Sequence, residues 1–110
     1  MSTQVPAIHT MKDLHNHMGK FGKNTLILDV REPDEFSEGH VPGARNIPVG
    51  QVGNHTQELA HFERIYVHCR SGKRSQMATA ELERRGLKNL VCISLGGMLD
   101  WMQAGYPVER

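Results

Sequence analysis

A chain of 110 residues with 38% hydrophobic content can build one packed core but not two, so a single domain over residues 1–110 is expected. Lys and Arg number 13 against 12 for Asp and Glu, and a net charge of +1 gives neither nucleic acid nor an anionic membrane surface a general attraction. No apolar stretch approaches the roughly 18 residues of a membrane span, and Met1 to Thr10 lacks the charged start and apolar core of a signal peptide, so a cytoplasmic protein with two reduced cysteines is expected.

Along the chain, Thr10 is placed to cap a short helix with Met11, Leu14 and Met18 on one face, stopping near Gly19. Leu26 to Val30 is apolar without alternation, the pattern of a central strand covered on both sides. Pro33 suits a first helical turn and Gly39 the residue after a last one, which brackets a short helix. Pro42-Gly43 marks a turn before a short edge strand at Ala44 to Ile47. Gln51 to Phe62 carries the weakest pattern and reads as helical only from Thr56. Arg64 to His68 reads as a buried strand, Gln76 to Arg85 as a helix ending at Gly86, and Leu90 to Ile93 as the last strand. Gly96-Gly97 leads into a final helix around Met98 to Ala104, ended by Gly105 and Pro107. Apolar runs alternating with helical segments predict an α/β fold with parallel strands.

The segment with chemical content is His68-Cys69-Arg70-Ser71-Gly72-Lys73-Arg74-Ser75. A cysteine in a strand-to-helix loop meets successive backbone N–H groups and the positive end of a helix dipole, which favour its thiolate and any approaching anion. Arg70, Lys73 and Arg74 add positive charge, with Arg74 and Lys73 the better candidates to face the substrate. The nearest acids in sequence, Glu63 and Glu81, lie outside the loop, so a depressed thiol pKa is expected at Cys69. Gly72 lets the loop curl through positive φ, and Ser71 and Ser75 offer hydroxyl donors. Cys92, inside Leu90 to Ile93, reads as a small buried hydrophobe. His15 and His17 face apart on a helix, which argues against metal binding. His68 points away from Cys69 by strand alternation and reads as a satisfied structural histidine.

Three blocks carry a resemblance to a known family. Asp29-Val30-Arg31-Glu32, Phe36, Glu38 to Ala44 and Asn46-Ile47-Pro48 resemble the amino-terminal signature of the rhodaneses; Cys69 to Ser75 resembles their active-site loop; Gly96-Gly97-Met98, Trp101 and Gly105 to Val108 resemble their carboxy-terminal signature. In this order and spacing they make the chain similar to a single-domain rhodanese over nearly its whole length. The resemblance implies a three-layer α/β fold, with a five-stranded parallel sheet and helices on both faces, and the catalytic loop at the carboxyl end of a central strand. It implies a ping-pong sulfurtransferase in which Cys69 takes a sulfane sulfur from thiosulfate or a similar anionic donor and passes it to a thiol, a protein thiol or cyanide. Arg70, Ser71, Gly72, Lys73, Arg74 and Ser75 would bind the donor, without metal or organic cofactor. Asp29, Arg31, Glu38 and His40 read as an ion-pair and hydrogen-bond scaffold bordering the site. A persulfide carrier needs the same loop and is the alternative. A phosphatase or arsenate reductase of this fold is the third reading, disfavoured because those phosphatases place five residues between cysteine and arginine, whereas here four separate Cys69 from Arg74.

Overall fold

The computed structural model describes residues 8–110. Helix α1 (Met11–His17) begins in a reciprocal cap: the Thr10 hydroxyl accepts from the Asp13 N–H, and the Asp13 carboxylate from the Thr10 N–H, both at 3.1 Å. A 3₁₀ turn over Met18–Lys20 leads to β1 (Thr25–Asp29). Helix α2 (Pro33–Glu38) starts on its proline and stops at Gly39. After β2 (Arg45–Asn46), a 3₁₀ segment over Val49–His55 runs into α3 (Thr56–Leu59). Then follow β3 (Arg64–His68), α4 (Lys73–Arg84), β4 (Leu90–Cys92) and α5 (Met98–Gln103).

The strands form one parallel sheet in the order β2-β1-β3-β4. Alternation along the two inner strands builds a core on each face. Leu26, Leu28, Val30, Ile65, Val67 and Cys69 point toward α4, α3 and the 3₁₀ segment, packing on Val52, Leu59, Ala78 and Leu82. Ile27 and Tyr66 point the other way, onto Met11, Leu14, Met98 and Trp101 of α1 and α5. The sheet is thus a middle layer between helices, and its strands lack polar alternation because both faces are covered. The chain leaves β1 toward β2 on one side and returns to β3 on the other, so the carboxyl ends of β1 and β3 flank a topological switch point, where open α/β sheets place their ligands.

Three expectations are corrected. The described residues form four strands rather than five; beyond β4, the Leu95 N–H donates to the His9 carbonyl at 3.1 Å, directly ahead of the α1 cap. Helix α4 begins at Lys73 rather than Gln76, because Gly72 turns the chain through φ +110° directly ahead of it. Cys92 is half-buried rather than buried, since β4 is the outermost described strand on its side. No described helix is long and apolar enough to cross a membrane.

Candidate active site

The chain reverses at the carboxyl end of β3 within four residues, Cys69 to Gly72, and the sulfur of Cys69 is enclosed by that turn. The N–H groups of Gly72 and Ser75 donate to Sγ at 3.1 and 3.3 Å, leaving Cys69 only 1% exposed. Burial pushes the thiol pKa up, but the Ser75 and Gly72 amides outweigh it, with the Ser75 side chain and the Ser71 amide assisting, and hold it below the usual thiol value. The Ser75 hydroxyl lies 2.9 Å from the Gly72 carbonyl and 2.8 Å from that of Ile93, tying the first turn of α4 to the end of β4.

The other side of the turn rests on the start of α5 and the glycine before it. The Met98 and Leu99 N–H groups donate to the Cys69 and Arg70 carbonyls at 2.8 and 3.3 Å. A Cβ on Gly97 would lie 2.3 Å from the Cys69 carbonyl oxygen, and one on Gly72 would lie 2.3 Å from that of Ser94. Both glycines are present because backbone meets backbone there.

The cations are not equivalent. Arg70 and Lys73 are exposed, as is Ser71. Arg74 is half-buried and donates from Nη1 and Nη2 to the two carboxylate oxygens of Glu35 on α2, at 2.6 and 2.9 Å. Arg74, by hydrogen bond and charge, pulls the Glu35 carboxyl down to about 2.

At the carboxyl end of β1, beside β3, Asp29 and Arg31 form a buried ion pair. Arg31 Nε reaches both carboxylate oxygens of Asp29 at 3.0 and 3.1 Å, and Nη2 reaches Oδ2 and the Gly39 carbonyl, each at 2.8 Å. Asn46 donates to the Asp29 and Arg31 carbonyls, fixing the end of β1 against β2. His40 stacks on Phe36, with Nδ1 2.9 Å from the Phe36 carbonyl, and Glu38 is exposed. None of these residues hydrogen-bonds to the sulfur, which takes its bonds from Gly72 and Ser75. His68 lies on the face opposite Cys69, fully buried, with Nδ1 3.4 Å from the Cys69 carbonyl. Its Nε2 has no hydrogen-bond partner among the described residues and stands 4.0 Å from Asp29, so the expectation of a satisfied histidine is corrected. Burial lowers the His68 pKa against the pull of Asp29 and keeps the ring neutral. Among the described residues no group of three or more His, Cys, Asp or Glu gathers to hold a metal.

The family profile for rhodanese-like domains matches residues 10–104. The chain belongs to the rhodanese-like family. It is 41% identical over 75 residues to a putative sulfur carrier protein, YrkF, of Bacillus subtilis, an alignment covering 68% of this chain and 40% of the relative. It is 37% identical over 94 residues to thiosulfate sulfurtransferase 16, chloroplastic, of Arabidopsis thaliana, covering 74% and 78%. A crystal structure of a rhodanese-related protein from Thermoplasma volcanium superposes with a TM-score of 0.76 at 32% identity, covering 93% of this chain and 96% of that one. The chain spans less than two thirds of several curated relatives, 40% of the Bacillus protein and 51% of a Raphanus sativus one.

In this rhodanese-like domain, two contributors to the site lay outside what sequence reasoning had assigned to it. Glu35 is 39 residues from Arg74 and meets it only because α2 follows β1, the neighbour of β3. Gly97 stands in the third signature block, but its close approach to Cys69 becomes visible only once β4 is set beside β3.

Proposed function

We propose that the domain moves sulfane sulfur through a persulfide on Cys69. The observation that carries this reading is the sulfur held by the Gly72 and Ser75 amides, next to further N–H groups at the start of α4 that lack intrahelical acceptors. The Cys69 thiolate attacks the outer sulfur of a donor such as thiosulfate. The donor S–S bond breaks, sulfite leaves with its electron pair, and a persulfide anion remains on Cys69. Loop amides facing its outer sulfur stabilise that charge as an oxyanion hole would. An acceptor thiolate, or cyanide, then attacks the outer sulfur and returns Cys69 as thiolate, completing a ping-pong cycle. The step needs neither metal nor organic cofactor. The name of the Arabidopsis relative supports an enzyme with this chemistry.

A persulfide carrier is the second reading, favoured by the name of the Bacillus relative and by the Glu35–Arg74 pair, which removes a free cation from the mouth. Phosphoryl transfer is disfavoured. A loop of four residues between Cys69 and Arg74, already closed on one sulfur, is small for three equatorial phosphoryl oxygens. Intact mass after incubation with thiosulfate, and separately with a small-molecule persulfide, tests the reading. Gain of one sulfur, removed by a thiol and absent in Cys69→Ser, is expected. Folded protein that gains sulfur from neither donor would overturn it.

A further inference from the structure

The mouth above Cys69 carries a charge arrangement that the amide cradle does not require. Arg74 occupies the first turn of α4 beside Ser75, whose N–H reaches the sulfur. Its guanidinium is stabilised first by Glu35, and at longer range by an ionised Cys69 and by Glu32. The contact with Glu35 is a parallel two-point pair, the strongest geometry available to these groups. Glu35 stays ionised across the neutral range, so the pair sums to zero net charge while fixing the arginine in place. The remaining cations of the loop, Arg70 and Lys73, are exposed, where water and salt screen them. A donor with two negative charges therefore gains little from the loop cations, and the Glu35 carboxylate paired with Arg74 opposes it.

We infer that Glu35 is a specificity-determining residue: by cancelling the charge of Arg74 at the Cys69 mouth it makes the site choose sulfur donors by their charge, handicapping dianions against donors of lower charge. The inference rests on the proposed persulfide chemistry, and a pair of donors isolates it. Thiosulfate carries two charges and methanethiosulfonate one, yet each gives up its terminal sulfur by the same step. The Cys69 thiolate forms a bond to that sulfur, the donor S–S bond breaks, and sulfite or methanesulfinate departs with the electron pair. Total charge is conserved, at −3 in the first case and −2 in the second.

Glu35→Gln keeps a hydrogen-bond acceptor for Arg74 and removes the negative charge. The ratio of kcat/KM for thiosulfate to that for methanethiosulfonate is expected to rise about threefold, through KM, as one partly screened unit charge at short range dictates. It should fall back as salt is raised. A second construction avoids dependence on one variant. Arg74→Ala alone leaves the Glu35 charge uncompensated and should depress the ratio, and adding Glu35→Gln should restore it. A ratio unmoved in Glu35→Gln, equal losses with both donors, or no recovery in the double variant would overturn the inference, since a merely structural Glu35 affects both donors alike. Intact mass separates the two levels: Cys69 that takes sulfur with an unmoved ratio overturns this inference alone, whereas Cys69 that takes sulfur from neither donor removes the persulfide reading and this inference with it.

Discussion

The Cys69 sulfur is held by backbone rather than by side-chain charge. Two amides reach it at 3.1 and 3.3 Å, while the half-buried cation nearest it in the helix, Arg74, is already paired with Glu35. Amides in a fixed turn need no reorganisation when the thiolate or the proposed persulfide forms, and burial keeps water from competing with them. Replacing Cys69 by Ser keeps the shape but removes the proposed nucleophile, so sulfur loading should vanish while the thermal midpoint changes little. Cys92→Ser acts on a half-buried β4 side chain and should retain most transfer activity, with a packing cost on the order of 1 kcal/mol. Transfer rates of both variants, measured on protein shown to be folded by circular dichroism, check this, and equal loss in the two would assign Cys92 a chemical part. Cys69 was legible in the sequence because a cysteine after an apolar run and before Arg-Ser-Gly-Lys-Arg is a local pattern. The partner of the loop's arginine was not: Glu63 and Glu81 are the acids nearest to the loop in sequence, but Glu35 is the one paired with Arg74.

At the scale of elements, the two inner strands β1 and β3 were legible because runs buried on both faces leave no polar alternation to obscure them, whereas β2 and β4 are shorter and half-buried. The start of α4 was hidden. Lys73 and Arg74 look like loop residues, but Gly72, in the left-handed region, completes the turn in a single residue and lets the helix begin at once. The 3₁₀ segment over Val49–His55 was missed for a related reason: Gly50 and Gly53 weaken any propensity, and what orders the segment is burial of Val52 in the core shared with α4. Glycines in this fold therefore divide by what surrounds them. Gly97 has ordinary extended φ, yet a Cβ there would stand 2.3 Å from the Cys69 oxygen and 2.6 Å from the Arg70 carbonyl carbon, so either the loop or α5 must move. Gly97→Ala should cost about 1–3 kcal/mol and depress sulfur transfer beyond its effect on stability, because the displaced groups carry the proposed nucleophile, Cys69. Gly50→Ala, in the 3₁₀ segment with nothing within 4 Å, should be neutral or stabilise by a few tenths of a kcal/mol. Denaturant midpoints and turnover of the two variants side by side provide the check, and a neutral Gly97→Ala would refute the close-contact account.

For the whole molecule, the sheet brings together groups from segments far apart in sequence, and this sets how stability responds to acid. Register places His68 of β3 directly beside Asp29 of β1, both fully buried, with Arg31 already occupying the carboxylate. Neither the apolar pattern nor strand alternation could reveal that pairing, because each residue alone reads as the polar end of an ordinary strand. Burial, partly opposed by Asp29, lowers the folded-state pKa of His68, so between its unfolded value near 6.5 and its folded value the unfolded chain binds a proton the native state refuses. Stability should therefore begin to fall as pH drops below about 6.5. Glu35 acts in the same direction but later. Its carboxyl titrates at about 2 when folded against 4.5 when free, so its contribution is intact above about 4.5 and is lost between there and about 2. Two acid steps are expected in unfolding free energy measured by urea titration at successive pH values. His68→Gln should abolish the upper step and leave the lower, while Glu35→Gln should remove part of the lower and leave the upper. The opposite assignment, or a profile flat from pH 7.5 to 5.5 in the unmodified protein, would mean that His68 is free to charge in place and that the buried Asp29–Arg31 pair can accept it as a third partner.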